Sequence, residues 1–257
     1  GGTGAYFLAM RDTTPFASIL PLNGFIMVLS NDDIDDGQIF PNNLRNKPVF
    51  AVNGGKDPLY PAVRVEPFLF HLERRGVSID YHLQPEAGHN TQWWPEVKDI
   101  YERFVTGHPR NPHPDTLTWE TGNLAHNRAH WLVIDRLGAQ PGDAELPDAN
   151  VMSTTDEFSL LRGQFQYLFA RGKKPGRVDL ERQGNTVKAS TQGGAAFTLL
   201  LSPDKFDFNQ PIKVTANGRE VFNGKVQKSL DTLLKWAAKD NDRTMLYGAE
   251  VHIMLGQ

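Results

Sequence analysis

Two side chains capable of acid–base chemistry lie in turns that each follow a strand-like segment. Asp57 follows the apolar run at residues 48–53, and His89 follows the alternating segment at residues 77–83. An imidazole can take and return a proton near neutral pH, and a carboxylate on its other nitrogen fixes its tautomer. In open α/β sheets, residues beyond the carboxyl ends of the strands form the ligand crevice. The pair therefore predicts an acid–base site; the alternative is that each is an ordinary turn residue.

The chain contains no recognisable nucleophile motif for such a site. In an elbow of the form Gly-x-Ser-x-Gly, a sharp strand-to-helix turn exposes the serine hydroxyl. The opening Gly1-Gly2-Thr3-Gly4-Ala5-Tyr6 is similar to the segment directly after such a serine, which would then stand two positions before Gly1. None of the serines in the chain has the flanking glycines: Ser18, Ser30, Ser78, Ser153, Ser159, Ser190, Ser202 and Ser229.

Residues 1–105 resemble the C-terminal part of an α/β-hydrolase of the esterase/prolyl-oligopeptidase-like group. The resemblance implies that Asp57 is the acid and His89 the base of a catalytic triad. It also implies that the serine and the oxyanion-hole loop lie upstream, in the missing N-terminal half of the hydrolase domain. Three motifs carry it in the family order: the glycine-rich opening, the turn Asn53-Gly54-Gly55-Lys56-Asp57 and the turn Ala87-Gly88-His89.

The activity that this resemblance implies is acyl transfer to water from a small ester or peptide substrate, through an acyl-enzyme. No metal or organic cofactor is required. Without the serine and the oxyanion-hole loop, this polypeptide alone is expected to be inactive, because losing the serine of a triad costs several orders of magnitude in rate.

The β-rich tail resembles the C-terminal extension of some bacterial secreted members of the same group. The similarity is carried by the segments at residues 197–203 and 234–238. Secretion or a periplasmic location is therefore expected from the resemblance alone. The absence of cysteine is compatible with either redox compartment.

The elements that must position Asp57 and His89 alternate between strand and helix in the first half. Apolar runs predict strands at residues 18–24 and 48–55, alternation predicts one at residues 77–83, and helical patterns cover residues 4–10, 60–75 and 93–105. This alternation indicates a parallel α/β sheet. At the start of the third helix, Trp93 and Trp94 either line the cleft mouth beside His89 or pack against the domain interface.

Beyond residue 107 the pattern changes to a second, mostly β domain. A proline-rich linker covers residues 108–114, and short strand candidates follow it. A further linker-like stretch covers residues 139–150, and more short strand candidates lie beyond it. The pair Asn217-Gly218 predicts a hairpin, and Ser229 is the expected N-cap of one helix. We therefore predict an α/β fold: a partial hydrolase sheet in residues 1–107, then a smaller sandwich-like domain in residues 108–257.

Composition excludes several classes of protein. The 257 residues carry 27 Lys+Arg against 30 Asp+Glu, a formal net charge of −3. This near balance, without a long basic block, makes nucleic acid or an anionic membrane surface an unsuitable main partner. No apolar run approaches the roughly 18 residues of a spanning helix. The absence of cysteine excludes disulfides, thiolate catalysis and Cys-ligated metals.

Two further constellations have a weaker resemblance to metal sites. His126 and His130 have the spacing of zinc-binding histidines on a helix but lack the glutamate after the first histidine. An acidic loop is only loosely similar to a cation loop, since it lacks the bidentate glutamate. One of its aspartates is also the reserve candidate for the triad acid: Asp32, Asp33, Asp35 or Asp36.

The competing functional class is a binding protein built on a hydrolase-like scaffold without a nucleophile. Its β domain would hold a carbohydrate, a peptide or a partner domain. The residue at the serine position before Gly1 distinguishes this class from the serine hydrolase.

A hydrolase sheet cut before its nucleophile strand would expose an unpaired edge, which favours association with another chain.

Overall fold

The computed structural model describes residues 1–30, 33–138 and 175–255. Within these ranges the chain forms two compact units, one of residues 1–110 and the other of residues 111–138 and 175–255. Both helices and β-sheets are present, so the fold is mixed α/β. None of the described helices has the length and apolar character needed to cross a membrane. The linker expected at residues 139–150 lies outside the described residues.

The first unit contains a parallel strand pair connected through a helix. Strands β1 and β2 pair in register from Val49↔Ile79 to Gly54↔Gln84. Every residue of β1 is buried, whereas β2 is largely half-buried. The parallel pair and its three helices confirm the alternation predicted for this half: α1 (Gly2–Arg11), β1 (Val49–Gly54), α2 (Ala62–Arg74), β2 (Ile79–Gln84) and α3 (Trp94–Gly107).

The segment predicted as a strand at residues 18–24 runs beside β1 without forming a regular strand. It makes two isolated parallel bridges, Ile19↔Val49 and Leu22↔Val52. Pro21 lies between them and has no N–H to donate, although its carbonyl accepts from Val52 N at 3.3 Å. The expected parallel direction is therefore confirmed, but the proline interrupts the ladder.

Strand β1 separates two apolar clusters because its side chains alternate between the two faces of the sheet. Val49 and Ala51 belong to a cluster that includes buried residues of α1 and α2. Phe50 and Val52 pack instead with Trp93 and residues of α3. Burying a large apolar side chain contributes roughly 1.5–3 kcal/mol. Helices on both faces thus hold β1, and with it the turn that carries Asp57.

The second unit is built from two sheets and one helix, α4 (Leu230–Asp240). The first sheet has the order β10-β9-β7-β6-β3 and the second β11-β8-β5-β4. One apolar core contains residues of both sheets. The strands are β3 (Thr116–Thr121), β4 (Arg128–Ala129), β5 (Leu132–Leu137), β6 (Gly176–Gln183), β7 (Thr186–Gln192), β8 (Gly194–Leu201), β9 (Ile212–Ala216), β10 (Arg219–Gly224) and β11 (Ala249–Met254).

Local signals in this unit agree with the sequence prediction. Asn217 and Gly218 connect β9 to β10 with φ of 50° and 79°, the positive values that a two-residue hairpin of this kind requires. Ser229 caps α4 by accepting a hydrogen bond from Thr232 N at 3.2 Å. The pairing of β7 with β9 is parallel, whereas the other strand pairs of this unit are antiparallel.

Candidate active site

Asp57 lies in the turn that follows β1, and its carboxylate is held by the backbone of the same turn. One oxygen, Oδ1, accepts hydrogen bonds from the backbone N–H groups of Leu59 at 2.8 Å and Tyr60 at 3.0 Å. The side chain is fully buried. An aspartate often caps a turn in this way. Because Oδ1 is occupied by the turn, Oδ2 remains available for a partner from another element.

His89 supplies that partner from the turn after β2. Its Nδ1 lies 2.8 Å from Asp57 Oδ2 across 32 residues of sequence. The imidazole is 37% exposed, and Nε2 makes no hydrogen bond to any residue that the structure describes. With an ionised carboxylate at Nδ1, the proton sits on that nitrogen and Nε2 is left as the base. The two predicted site residues are therefore in direct contact.

The carboxyl of Asp57 has a pKa below its ordinary value of 3.8. Burial alone would raise this pKa, because removing water disfavours the charged form. The N–H groups of Tyr60 and Leu59, together with the hydrogen bond and charge of His89, outweigh the burial and lower it. Asp57 is therefore a carboxylate at neutral pH and suits the role of stabilising a protonated imidazole.

Two glycines let the turn after β1 lie directly on the turn that carries His89. A Cβ on Gly54 would collide with the carbonyl oxygens of Ala87 and Gly88, and one on Gly55 would lie 2.5 Å from the carbonyl oxygen of Pro85. Lys56 N donates to Ala87 O at 2.9 Å across the same contact. The pair of glycines thus permits the close backbone approach that brings Asp57 to His89.

The N-terminus of α1 lies against the end of the segment at residues 18–24. A Cβ on Gly2 would collide with Leu22 O and would lie 2.7 Å from Gly24 N. Thr3 Oγ1 accepts from Phe25 N at 3.2 Å. The start of α1 is therefore packed at the carboxyl end of the strand-like segment next to β1.

Sequence reasoning missed two residues beside His89. The ring of Tyr60 meets the imidazole edge-on, with centroids 5.3 Å apart, and Asn23 donates from Nδ2 to Asn90 O at 2.7 Å. Tyr60 had a signal in the sequence, because the backbone N–H of a residue shortly after a turn aspartate can donate to the aspartate carboxylate. Asn23 had none in the local sequence, because its partner is 67 residues away.

Trp93 and Trp94 differ in their surroundings. Trp93 is buried in the cluster with Phe50, so it packs in the core of the first unit. Trp94 is half-buried and meets Tyr101 edge-on, with ring centroids 5.0 Å apart. Trp93 therefore packs within the core of the first unit, a position that neither of the two interpretations predicted.

Several of the other candidate residues have structural partners in the described part of the chain. Asp36 forms an ion pair with Arg11 at 2.6 Å, and Asp32 lies outside the described residues. His130 is buried, with Nδ1 2.9 Å from Pro112 O, and the backbone oxygen of His126 accepts from Trp119. Within the described ranges, no group of three His, Cys, Asp or Glu side chains is arranged to hold a metal ion.

Comparisons of the chain with protein-family models, with curated proteins and with solved structures found no match. A partly exposed imidazole with a buried carboxylate on one of its nitrogens can accept a proton from a hydroxyl or a water and then return it.

Proposed function

We propose that Asp57 and His89 are the acid–base pair of a serine hydrolase of the α/β-hydrolase type, which cleaves an ester or peptide bond through an acyl-enzyme. The observation that carries this proposal is the 2.8 Å contact between His89 Nδ1 and the buried Asp57 Oδ2. It is supported by the position of both residues in turns after neighbouring parallel strands, where such sites form.

In the proposed mechanism, His89 Nε2 takes the proton of the serine hydroxyl as its oxygen bonds to the substrate carbonyl carbon. The imidazolium then gives that proton to the leaving alcohol or amine as the carbonyl–heteroatom bond breaks. Water repeats the two steps on the acyl-enzyme and releases the acid. Asp57 remains ionised throughout, orients the imidazole and stabilises its positive form.

The nucleophile in this proposal is a serine two positions before Gly1. The contact of Gly2 with Leu22 and Gly24 supports it, because this contact holds the start of α1 at the carboxyl end of the segment beside β1. A helix N-terminus at this position also favours a developing negative charge. Among the described residues, no serine or threonine hydroxyl forms a hydrogen bond with His89.

The experiment that tests the function is labelling of the protein, in its natural full length, with a fluorophosphonate probe. We expect one serine to be labelled and identified by mass spectrometry, and His89→Ala to slow labelling by about 10³-fold or more. His252→Ala is the matched control, since His252 is an exposed histidine of the second unit. Absence of labelling, or labelling at the same rate in His89→Ala, would contradict the proposal.

A further inference from the structure

Asn23 ends the segment beside β1 in a conformation that most residues avoid. Its φ is 47°, in the left-handed region, and its backbone N donates to Val52 O at 2.7 Å. Asparagine adopts this region more readily than other residues with a side chain, but at a cost in energy relative to glycine. Residues in strained backbone conformations of this kind are concentrated at functional sites.

The side chain of Asn23 reaches the turn that carries His89. Nδ2 donates to the carbonyl oxygen of Asn90, the residue after His89, at 2.7 Å, and Asn23 is only 8% exposed. On the other side of His89, Ala87 O accepts from Lys56 N at 2.9 Å. The backbone is therefore fastened on both sides of the histidine, once by the Asp57 turn and once by Asn23.

The other end of the Asn23 carboxamide is buried without a partner. Oδ1 accepts no hydrogen bond from any residue in the described part of the chain. A buried polar atom without a partner is unfavourable for stability, so an apolar side chain would serve packing better. Asn23 thus combines a strained backbone with an unpartnered amide oxygen. The hydrogen bond that its side chain does make is to the backbone of the His89 turn.

We propose that Asn23 is a positioning residue that holds the His89 turn, so that the imidazole stays on Asp57 and presents Nε2 to the reacting hydroxyl. This inference rests on the proposed function and adds a third residue to its acid–base pair. Asn23 acts through the backbone of Asn90 and does not touch the reacting atoms. Losing it therefore lowers the fraction of time that His89 is correctly oriented, without removing any chemical group from the site.

The test removes the Asn23 donor in two ways. Asn23→Gly deletes the side chain and relieves the positive φ, so the fold should be retained. Asn23→Asp keeps the shape and the tolerance of left-handed φ but has no N–H to donate. The matched control is Asn43→Ala, because Asn43 is also buried and donates from Nδ2 to a backbone oxygen, Met10 O, at 2.8 Å.

The first readout needs no turnover. In the natural full-length protein labelled with ¹⁵N-histidine, we expect the His89 Nδ1 proton to exchange with solvent about 10-fold faster in both Asn23 variants. In the same variants, kcat for p-nitrophenyl acetate should fall about 10- to 100-fold, with KM nearly unchanged. Asn43→Ala should lower the melting temperature and leave both His89 readouts at the wild-type value.

Wild-type exchange at His89 in both Asn23 variants would overturn the positioning role, and so would an equal acceleration in Asn43→Ala. If Asn23→Gly does not fold, Asn23→Asp decides between these outcomes. Accelerated exchange in a protein that shows no hydrolysis and no labelling of a serine would contradict the proposed function instead, and would leave the link between Asn23 and the His89 turn in place.

Discussion

The imidazole of His89 lies 2.8 Å from the carboxylate of Asp57, although the two residues are 32 positions apart in the sequence. The contact follows from the register of β1 and β2, which ends with Gly54 opposite Gln84. Since the strands are parallel, both turns leave the sheet at the same edge, Asp57 three residues and His89 five residues after that pair. Changes at this edge, or in the elements that hold it, should therefore alter activity and stability in ways that can be measured.

Asp57→Asn tests the charge of the carboxylate separately from its shape. The amide side chain fills the same space but cannot stabilise a protonated His89, and its NH2 group can favour the wrong imidazole tautomer. We expect kcat for an activated ester to fall about 10⁴-fold, with the fold retained. The measurement is steady-state hydrolysis by the natural full-length protein, with circular dichroism of the variant as the control. A loss of less than about 10-fold would contradict the role given to Asp57.

Gly54→Ala tests the close approach of the two turns. The added Cβ would collide with the carbonyl oxygens of Ala87 and Gly88, so the His89 turn must move. We expect the free energy of unfolding to fall by about 1–3 kcal/mol and hydrolysis to fall with it. Urea denaturation measures the first effect. Gly88→Ala is the control for stability, because its Cβ would have ordinary contacts, the nearest at 3.6 Å from Asn90 Nδ2.

Replacing Gly2 or Gly4 of α1 by alanine is expected to change the stability of the protein in opposite directions. Gly2→Ala would drive a methyl group into Leu22 O and Gly24, and should destabilise the protein by about 1–3 kcal/mol. Gly4 is exposed within the helix and a Cβ there meets no atom within 4 Å. Gly4→Ala should therefore stabilise by about 0.5–1 kcal/mol. Thermal unfolding of both variants checks the pair; a shift of the same sign in both would contradict it.

Lys47 gives the first unit a dependence of stability on alkaline pH. Burial, and to a smaller extent the charge of Arg110, lower its pKa from 10.5 to about 8, while Asp12 opposes the shift. Between these two values the unfolded chain binds more protons than the folded one, so stability rises with pH across that window. The rise is at most about 3 kcal/mol.

Lys47→Met removes this titration and keeps the length of the side chain. From about pH 8 to about pH 10.5, the unfolding free energy of the wild type should therefore rise relative to that of Lys47→Met. Urea denaturation at pH values on both sides of the window measures it. Parallel stability curves for the two proteins would show that Lys47 titrates with the same pKa in both states.

Much of the local structure follows from the sequence alone. An apolar run that ends at turn residues predicts β1, alternation predicts β2, helical spacing predicts the helices α1, α2 and α3, and Asn217-Gly218 predicts its hairpin. These patterns are local, because backbone geometry and burial repeat every two residues in a strand and about every 3.6 residues in a helix. The sequence also places Asp57 and His89 in turns after strands, which is enough to make them a candidate pair.

Only the tertiary structure decided which groups meet. Asp57, and not an aspartate of the described part of the acidic loop, contacts His89, because strand register and two glycines bring those particular turns together. The bond from Asn23 to Asn90 is likewise absent from any local pattern. Contacts between residues tens of positions apart depend on the register and close approach of whole elements, and no neighbouring residue signals them.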